Sequence, residues 1–381
     1  MNEPFKPLNI LHLTNHLNIG GVTSYIYLLS NEMAKRGHKV FVGSAGGAME
    51  ADFQKRGIEP WILPMETKNI LSPKIGRSAR RVEKFVRQEK IDIIHAHTHV
   101  SQSLADKISK KTGVRFVSTC HGYFKRNLGR KLFPLWGERV IAISGAVAED
   151  LEKTHRVDKD RISVVKNAIN IEDSENRLAE KDPREIRFWY RIPEDAKVVV
   201  SIARLSKDKG HEFFIEAATE ILKKRKDIYF VIFGDGKLRD ELKTSVVGRD
   251  IESHFFIITA VKDPTIGYAI ADVFVHTAPH REGFGLAIAE AMALGKPVIM
   301  TDIPAINTLY TDKKHALFVK PSDSQDLAEK IVTLVDDPVR RDQLALAGKE
   351  YARSFCGISR MGDEMEAFYR KTLTENKILG K

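Results

Sequence analysis

Cysteine is nearly absent. Two residues, Cys120 and Cys356, stand far apart in a chain of 381. That excludes a disulfide framework and sets the expectation of a reduced, cytoplasmic protein. Long apolar runs are missing too: no stretch approaches the roughly 20 residues needed to span a bilayer. The opening MNEPFKPLNILHLTNHL lacks the charged-then-apolar layout and small-residue cleavage site of a signal peptide. No low-complexity tract occurs, and no GxGxxG run marks a dinucleotide site.

What is present is the composition of a globular chain, 43% hydrophobic and 29% charged, long enough for two domains. The formal charge of +10 speaks to partners more than to fold. Much of it is local. Residues 68–90 hold eight Lys or Arg against Glu83 and Glu89. Ile75, Ala79, Val82 and Val86 recur there at helical spacing, which predicts a helix with one apolar stripe and a basic face. A second basic run, Lys125, Arg126, Arg130 and Lys131, is interleaved with Tyr123, Phe124, Phe133 and Trp136. Any single such helix reads as a solvated surface. Two in one half point to an anionic surface, acidic lipid or a phosphorylated acceptor. No recognised nucleic-acid module accompanies the charge, so no nucleic-acid partner is expected.

Short apolar runs alternate with helical patterns along both halves. Strands are expected at 8–13, 39–43, 61–63, 91–94, 115–118, 139–143 and 162–165, then at 198–202, 228–233, 254–258, 273–275, 297–300 and 317–319. Such alternation predicts an α/β protein with parallel, doubly wound sheets covered on both faces. Residues 171–196, charged and with two prolines, read as the connection between an N-terminal domain, 1–175, and a C-terminal one, 190–357. Ligands of such sheets bind beyond the carboxyl ends of the strands, so a cleft where the two domains face each other is the expected site.

Three constellations fall at those strand ends. Asn18-Ile-Gly20-Gly21-Val22-Thr23 lies between the first strand and its helix, where glycines let a phosphate or sugar approach the backbone and helix start; an ordinary tight turn reads the same way. Ser201-Ile-Ala-Arg204-Leu-Ser-Lys207-Asp-Lys209-Gly210-His211 follows the first strand of the second half. Arg204 and Lys209 there can converge on a diphosphate, a bidentate clamp beside a point charge. Glu282-Gly-Phe-Gly-Leu-Ala-Ile-Ala-Glu290 places two carboxylates around a Gly-rich helix start that favours an anion. The combination suits a ligand with both hydroxyls and phosphate. His95, His97 and His99 share a period of two that resembles a metal set, but no acidic or Cys partner sits at the usual spacing, so no metal is expected. His121, between a strand end and Gly122, should point into the cleft. Asp158-Lys-Asp160 reads as surface.

Together these pieces resemble a retaining glycosyltransferase of the family-4 type (group 1 glycosyltransferases) with the GT-B fold, two Rossmann-like domains facing each other across a cleft. The likeness runs along nearly the whole chain and is most specific from Glu282 to Val298. It implies an acceptor-binding N-terminal domain, a donor-binding C-terminal domain, and a last helix, about 358–381, that crosses back to the N-terminal one. By that resemblance Arg204 and Lys209 bind the diphosphate and Glu290 grips the ribose hydroxyls. Glu282 meets the transferred sugar, helped by the backbone of Phe284, Gly285 and Leu286. Gly20 and Gly21 close over diphosphate and acceptor, and His121 lies beside the donor sugar. The implied chemistry keeps the anomeric configuration, needs no metal or other cofactor, and uses a nucleotide-sugar donor, UDP-linked before GDP-linked. The implied acceptor is a lipid-linked or cell-envelope glycan such as lipopolysaccharide, with residues 68–90 holding the protein at the inner face of the plasma membrane. A nucleotide-sugar epimerase or hydrolase of the same fold, or an inactive membrane-docking protein, would share these features. Two departures stand out. The family's Asn-Gly-Val-Asp is here Asn167-Ala-Ile-Asn170, and its Gly-Gly-x-x-Glu after Thr301-Asp302 is replaced by Ile303-Pro-Ala-Ile-Asn307.

Overall fold

A computed structural model describes residues 6–375 apart from 68, 71, 125–127, 260 and 262. The expected basic positions Lys68, Lys125 and Arg126, and residues 376–381 of the expected last helix, therefore lie outside the described residues. The chain divides into two compact units, Met1–Ala168 with Ile358–Lys381, and Ile169–Gly357.

Among the described residues the first unit holds seven parallel strands: β1 (Asn9–Leu13), β2 (Lys39–Ser44), β3 (Pro60–Ile62), β4 (Ile93–Ala96), β5 (Arg115–Cys120), β6 (Arg139–Ala142) and β7 (Ile162–Val164). Their order across the sheet is β3-β2-β1-β4-β5-β6-β7. The second unit repeats the plan with β8 (Lys197–Ile202), β9 (Ile228–Phe233), β10 (Phe255–Ile258), β11 (Val273–His276), β12 (Val298–Thr301) and β13 (Leu317–Val319), ordered β10-β9-β8-β11-β12-β13. Both are doubly wound sheets whose strand order reverses beside the first strand, and the crevice at that reversal is where such sheets bind ligands. The reversal falls between β1 and β4 in one unit and between β8 and β11 in the other.

The strands read as apolar runs because helices cover both faces. In the second unit Val199, Phe230, Ile232 and Val275 pack under Phe214, Ile221, Leu327 and Ile331, while Val198, Val200, Val231 and Phe233 pack the opposite face with Ile192 and Ile270. In the first, Leu11, Ile94 and Phe116 pack with Ile75, Val82 and Leu104. The helix predicted in the basic segment spans Pro73–Gln88. Ser72 caps it, Ile75, Ala79, Val82 and Val86 are its buried stripe, and Arg77, Arg80, Arg81, Lys84 and Arg87 face solvent.

Residues 171–196 differ from the expected connection. They form helices Ile171–Ala179 and Pro183–Trp189 inside the second unit, packed on helix Thr265–Ile270. Asn170 and Asp182 cap them by accepting from backbone N–H groups, and Pro183 sits in the first turn, where a missing N–H costs nothing. The break between units therefore falls at Ala168/Ile169, ahead of the charged stretch. Helix Ile358–Thr374 packs on helix Gly21–Lys35 of the first unit. Arg36 binds Asp363 and Glu366 at 2.7 Å and the Ser359 carbonyl at 2.8 Å, and His38 meets Glu366 at 2.9 Å. Among the described residues no helix is long and apolar enough to cross a membrane.

Candidate active site

The second unit brings its motif residues to the reversal between β8 and β11. After β8 the chain turns through Arg204 into a short 3-10 turn, Lys207–Lys209, and then into helix His211–Leu222. Gly210 joins the two with φ +64°, and a Cβ there would sit 2.1 Å from the Thr277 carbonyl oxygen. Only glycine fits that close approach in a left-handed conformation. Thr277 in turn donates to the Lys209 carbonyl at 2.9 Å, tying the loop after β8 to the loop after β11, and His211 Nε2 donates to the Arg204 carbonyl at 3.0 Å, bracing the first of these loops.

Those ties set Lys209 against Glu282. The ammonium donates to Glu282 Oε2 at 2.6 Å, with the side chains 20% and 14% exposed. His276, the last residue of β11, donates from Nε2 to the same oxygen at 3.0 Å, and the Gly283 N–H reaches Oε1, also at 3.0 Å. Burial pushes the Glu282 carboxyl up, but the His276 hydrogen bond and the Lys209 charge outweigh it and hold the group well below the usual carboxylate range. Glu282 is thus a fixed anion beside a fixed cation. Arg204 stands differently: 69% exposed, it pairs with Asp208 at 3.3 Å and reaches Ser206 at 3.2 Å. The expected cationic pair is one largely buried and one exposed side chain.

Gly285, at φ +78°, turns the chain into helix Leu286–Ala293. Among the described residues no side chain caps this helix and its first turn carries no acid, so the N–H groups around Phe284, Gly285 and Leu286 are not taken by a side-chain cap. The Phe284 ring is buried beside Phe355. Glu290 lies on that helix, where the buried Tyr268 hydroxyl donates to its Oε2 at 3.0 Å and approaches the Ala287 carbonyl at 3.1 Å. Burial raises the Glu290 pKa, against the lowering effect of Tyr268 and Arg177. The two glutamates therefore differ in kind: a hydrogen bond and a cation lower the pKa of Glu282, while burial raises that of Glu290. His276 and Tyr268, which orient them, carry no sequence motif. A polar residue at the buried end of a strand was the available signal for His276.

In the first unit Gly20 and Gly21 follow the loop after β1, at the start of helix Gly21–Lys35, which among the described residues has no side-chain cap and carries no acid in its first turn. Among the described residues, a Cβ on Gly20 would meet nothing within 4 Å. His121 follows β5 directly, and its Nε2 lies 3.1 Å from His97 Nδ1. The expected trio His95, His97 and His99 is not the one assembled. The strand ends at Ala96 and a helix begins at His99, whose ring turns to the Phe133 carbonyl at 3.0 Å. The buried trio is His12, His95 and His97, with ring nitrogens within 4.8 Å of one another. His12 joined it through the β1–β4 register, which places it against His95. Asp158 is exposed and caps the 3-10 turn Lys159–Arg161.

Residues 182–352 match the family described as glycosyl transferases group 1, and residues 19–173 match glycosyltransferase family 4. Among curated proteins, the UDP-Gal:α-D-GlcNAc-diphosphoundecaprenol α-1,3-galactosyltransferase of Escherichia coli is 26% identical over 303 residues, covering 76% of this chain and 78% of that one. The α-monoglucosyldiacylglycerol synthase of Streptococcus pneumoniae is 24% identical over 383 residues, covering 94% and 84%. In fold the chain is similar to the Anabaena protein HepE, solved with UDP-glucose, at a TM-score of 0.83 and 20% identity, covering 96% of this chain and all of that one.

Proposed function

The chain belongs to the group 1 glycosyltransferases of GT-B architecture, and on that premise we infer that it moves a sugar from a UDP-sugar to a hydroxyl of a lipid-linked or cell-envelope glycan, with retention and without a metal. The observation that carries this reading is the Lys209–Glu282–His276 cluster at the reversal between β8 and β11, beside a helix start that no side chain caps. A pyrophosphate needs cations and N–H donors; a sugar needs fixed acceptors for its hydroxyls. The loops after β8 and β11 supply both.

In this reading Arg204 swings onto the diphosphate while Lys209 and the amides of Phe284, Gly285 and Leu286 hold it. The charge that builds on the leaving phosphate is met by groups already in place. Glu290 takes the ribose hydroxyls and Glu282 those of the transferred sugar. Gly20, Gly21 and His121 of the first unit serve the acceptor and the donor sugar. The acceptor hydroxyl attacks from the face the diphosphate leaves, and the departing phosphate oxygen receives its proton, so no carboxylate nucleophile is required. The exposed cationic face of Pro73–Gln88 supplies attraction to anionic lipid at the membrane surface. One relative named for a diphosphoundecaprenol-linked substrate and another named for a glucosyldiacylglycerol product support a lipid-borne acceptor.

The test is a thermal shift with UDP, GDP and ADP, followed by mass spectrometry of turnover products across a donor panel. Selective stabilisation by UDP and acceptor-dependent transfer are expected. Absence of any nucleotide response refutes the assignment. Free sugar or an epimerised donor without acceptor would move the chain to the epimerase or hydrolase reading.

A further inference from the structure

The first unit contains a file of histidines that the glycosyl-transfer reading uses only at its outer end. His12, His95 and His97 are buried, and His121 is half-buried at the end of β5. His95 is satisfied at both nitrogens, with Nδ1 2.7 Å from the Tyr369 hydroxyl and Nε2 2.7 Å from the Thr119 hydroxyl. The other three rings line up. His12 Nδ1 lies 2.9 Å from His97 Nε2, and His97 Nδ1 lies 3.1 Å from His121 Nε2. His12 Nε2 closes the file, buried and without a hydrogen-bond partner among the described residues.

Burial holds all three rings below the ordinary histidine range, so they are neutral at pH 7. A neutral imidazole has one N–H and one bare nitrogen. Each contact in the file needs one of each, so the three tautomers are locked in phase. Two arrangements satisfy both contacts. With every proton on Nε2, His12 ends the file as a buried N–H with no acceptor. With every proton on Nδ1, it ends as a bare nitrogen with no donor. Orphaned buried N–H groups are rarer in proteins than under-satisfied acceptors, which favours the second.

We propose that His12 and His97 are positioning residues that lock His121 with its proton on Nδ1, so that its ring offers an N–H donor to a bound hydroxyl oxygen. This rests on the placement of His121 beside the donor sugar. It assigns His121 to orienting the sugar and removes it as the base that deprotonates the acceptor. A three-histidine metal site on His12, His95 and His97 is the competing use of the same rings. That site would need nitrogens that His95 gives to Tyr369 and Thr119 and that His97 gives to its neighbours. Only His12 Nε2 is uncommitted in the trio.

The test is long-range proton–nitrogen NMR of the full chain labelled with [15N]histidine at pH 7, with the His121 signals identified by their loss in His121→Asn. The wild type is expected to show His121 protonated at Nδ1 and bare at Nε2. His12→Asn places a carboxamide nitrogen where Nδ1–H stood and keeps that tautomer. His12→Phe removes the donor, mixes the His121 tautomers and lowers turnover by roughly tenfold, the scale of one lost hydrogen bond. A wild-type His121 protonated at Nε2 overturns the proposal, and that measurement needs no variant at His12 to fold. So does a His12→Phe protein indistinguishable from wild type in both readouts, or one equivalent of zinc that co-purifies with the wild type and is lost in His12→Phe. Failure of the wild type to turn over any sugar donor would instead sink the glycosyl-transfer reading and leave the tautomer result standing.

Discussion

Replacing Lys209 by methionine keeps most of the aliphatic stem and removes the charge that faces Glu282. The pair is 2.6 Å apart and about four-fifths buried on both sides. At an effective dielectric of ~20, that distance corresponds to roughly 6 kcal/mol of gross attraction. Desolvation offsets part of it, and breaking such a pair by removing one partner costs about 3–5 kcal/mol, because the remaining charge stays buried. His276 and the Gly283 amide still hold the carboxylate, so the lower end, about 3 kcal/mol, is expected for Lys209→Met. For the second unit, Ile169–Gly357, that is a melting shift of roughly 6–12 °C. Glu282→Gln added to Lys209→Met removes the stranded charge and should restore most of the loss, to within about 1 kcal/mol. Calorimetry of wild type, both single variants and the double variant reads this directly. The Glu282 pKa is depressed, so its contribution is present above the ordinary glutamate value near 4.5 and fades as pH falls toward the folded value; the gap between wild type and Lys209→Met should close in acid. Lys209→Met melting within 2 °C of wild type, or a double variant no more stable than Lys209→Met, would show that the pair is not the anchored anion–cation unit described above.

Other expectations follow from the same geometry. Glu290→Gln keeps an acceptor for Tyr268 while removing a carboxyl whose pKa is raised by burial; stability linked to that group is fully present below about 4.5 and lost as pH rises through the folded value. The variant should therefore be at least as stable as wild type at pH 7 while losing donor turnover, and wild-type turnover in every donor would remove Glu290 from the site. Gly210→Ala combines a left-handed residue with a collision against the Thr277 carbonyl and should cost about 2–4 kcal/mol, read by urea unfolding. The face of Pro73–Gln88 should bind vesicles containing anionic lipid in a salt-sensitive manner. At ~1 kcal/mol per charge, replacing Arg77, Arg80, Arg81 and Lys84 by Gln should weaken partitioning by several hundredfold. Equal binding to neutral vesicles would exclude that role.

All thirteen strands were legible because parallel strands buried on both faces are written as short apolar runs, such as Val198-Val-Val-Ser-Ile202 and Ile228-Tyr-Phe-Val-Ile-Phe233. Helices showed through their periodicity. The stretch 171–196 misled because its charge and prolines were weighed as linker signals, whereas Asn170 and Asp182-Pro183 are helix-start signals. Among the candidate site residues, Lys209 and Glu282 in loops after strands and Glu290 on the helix that follows could be singled out from the sequence. Their supports could not. Tyr268 is 22 positions from Glu290, and His12 is 83 from the strand partner that recruits it. Such pairings are decided by sheet register and helix packing, which a local window does not contain.

The helix Ile358–Thr374 completes the first unit, yet the ribosome delivers it only after all of Ile169–Gly357 has emerged. At typical elongation speeds the wait is roughly 10–40 s. Throughout it, His95 lacks the Tyr369 hydroxyl and Arg36 lacks Asp363 and Glu366. The later half of the chain, contiguous and self-contained, is thus positioned to mature before the earlier one, and a chain truncated after residue 357 would carry a complete second unit and a first unit lacking its last helix.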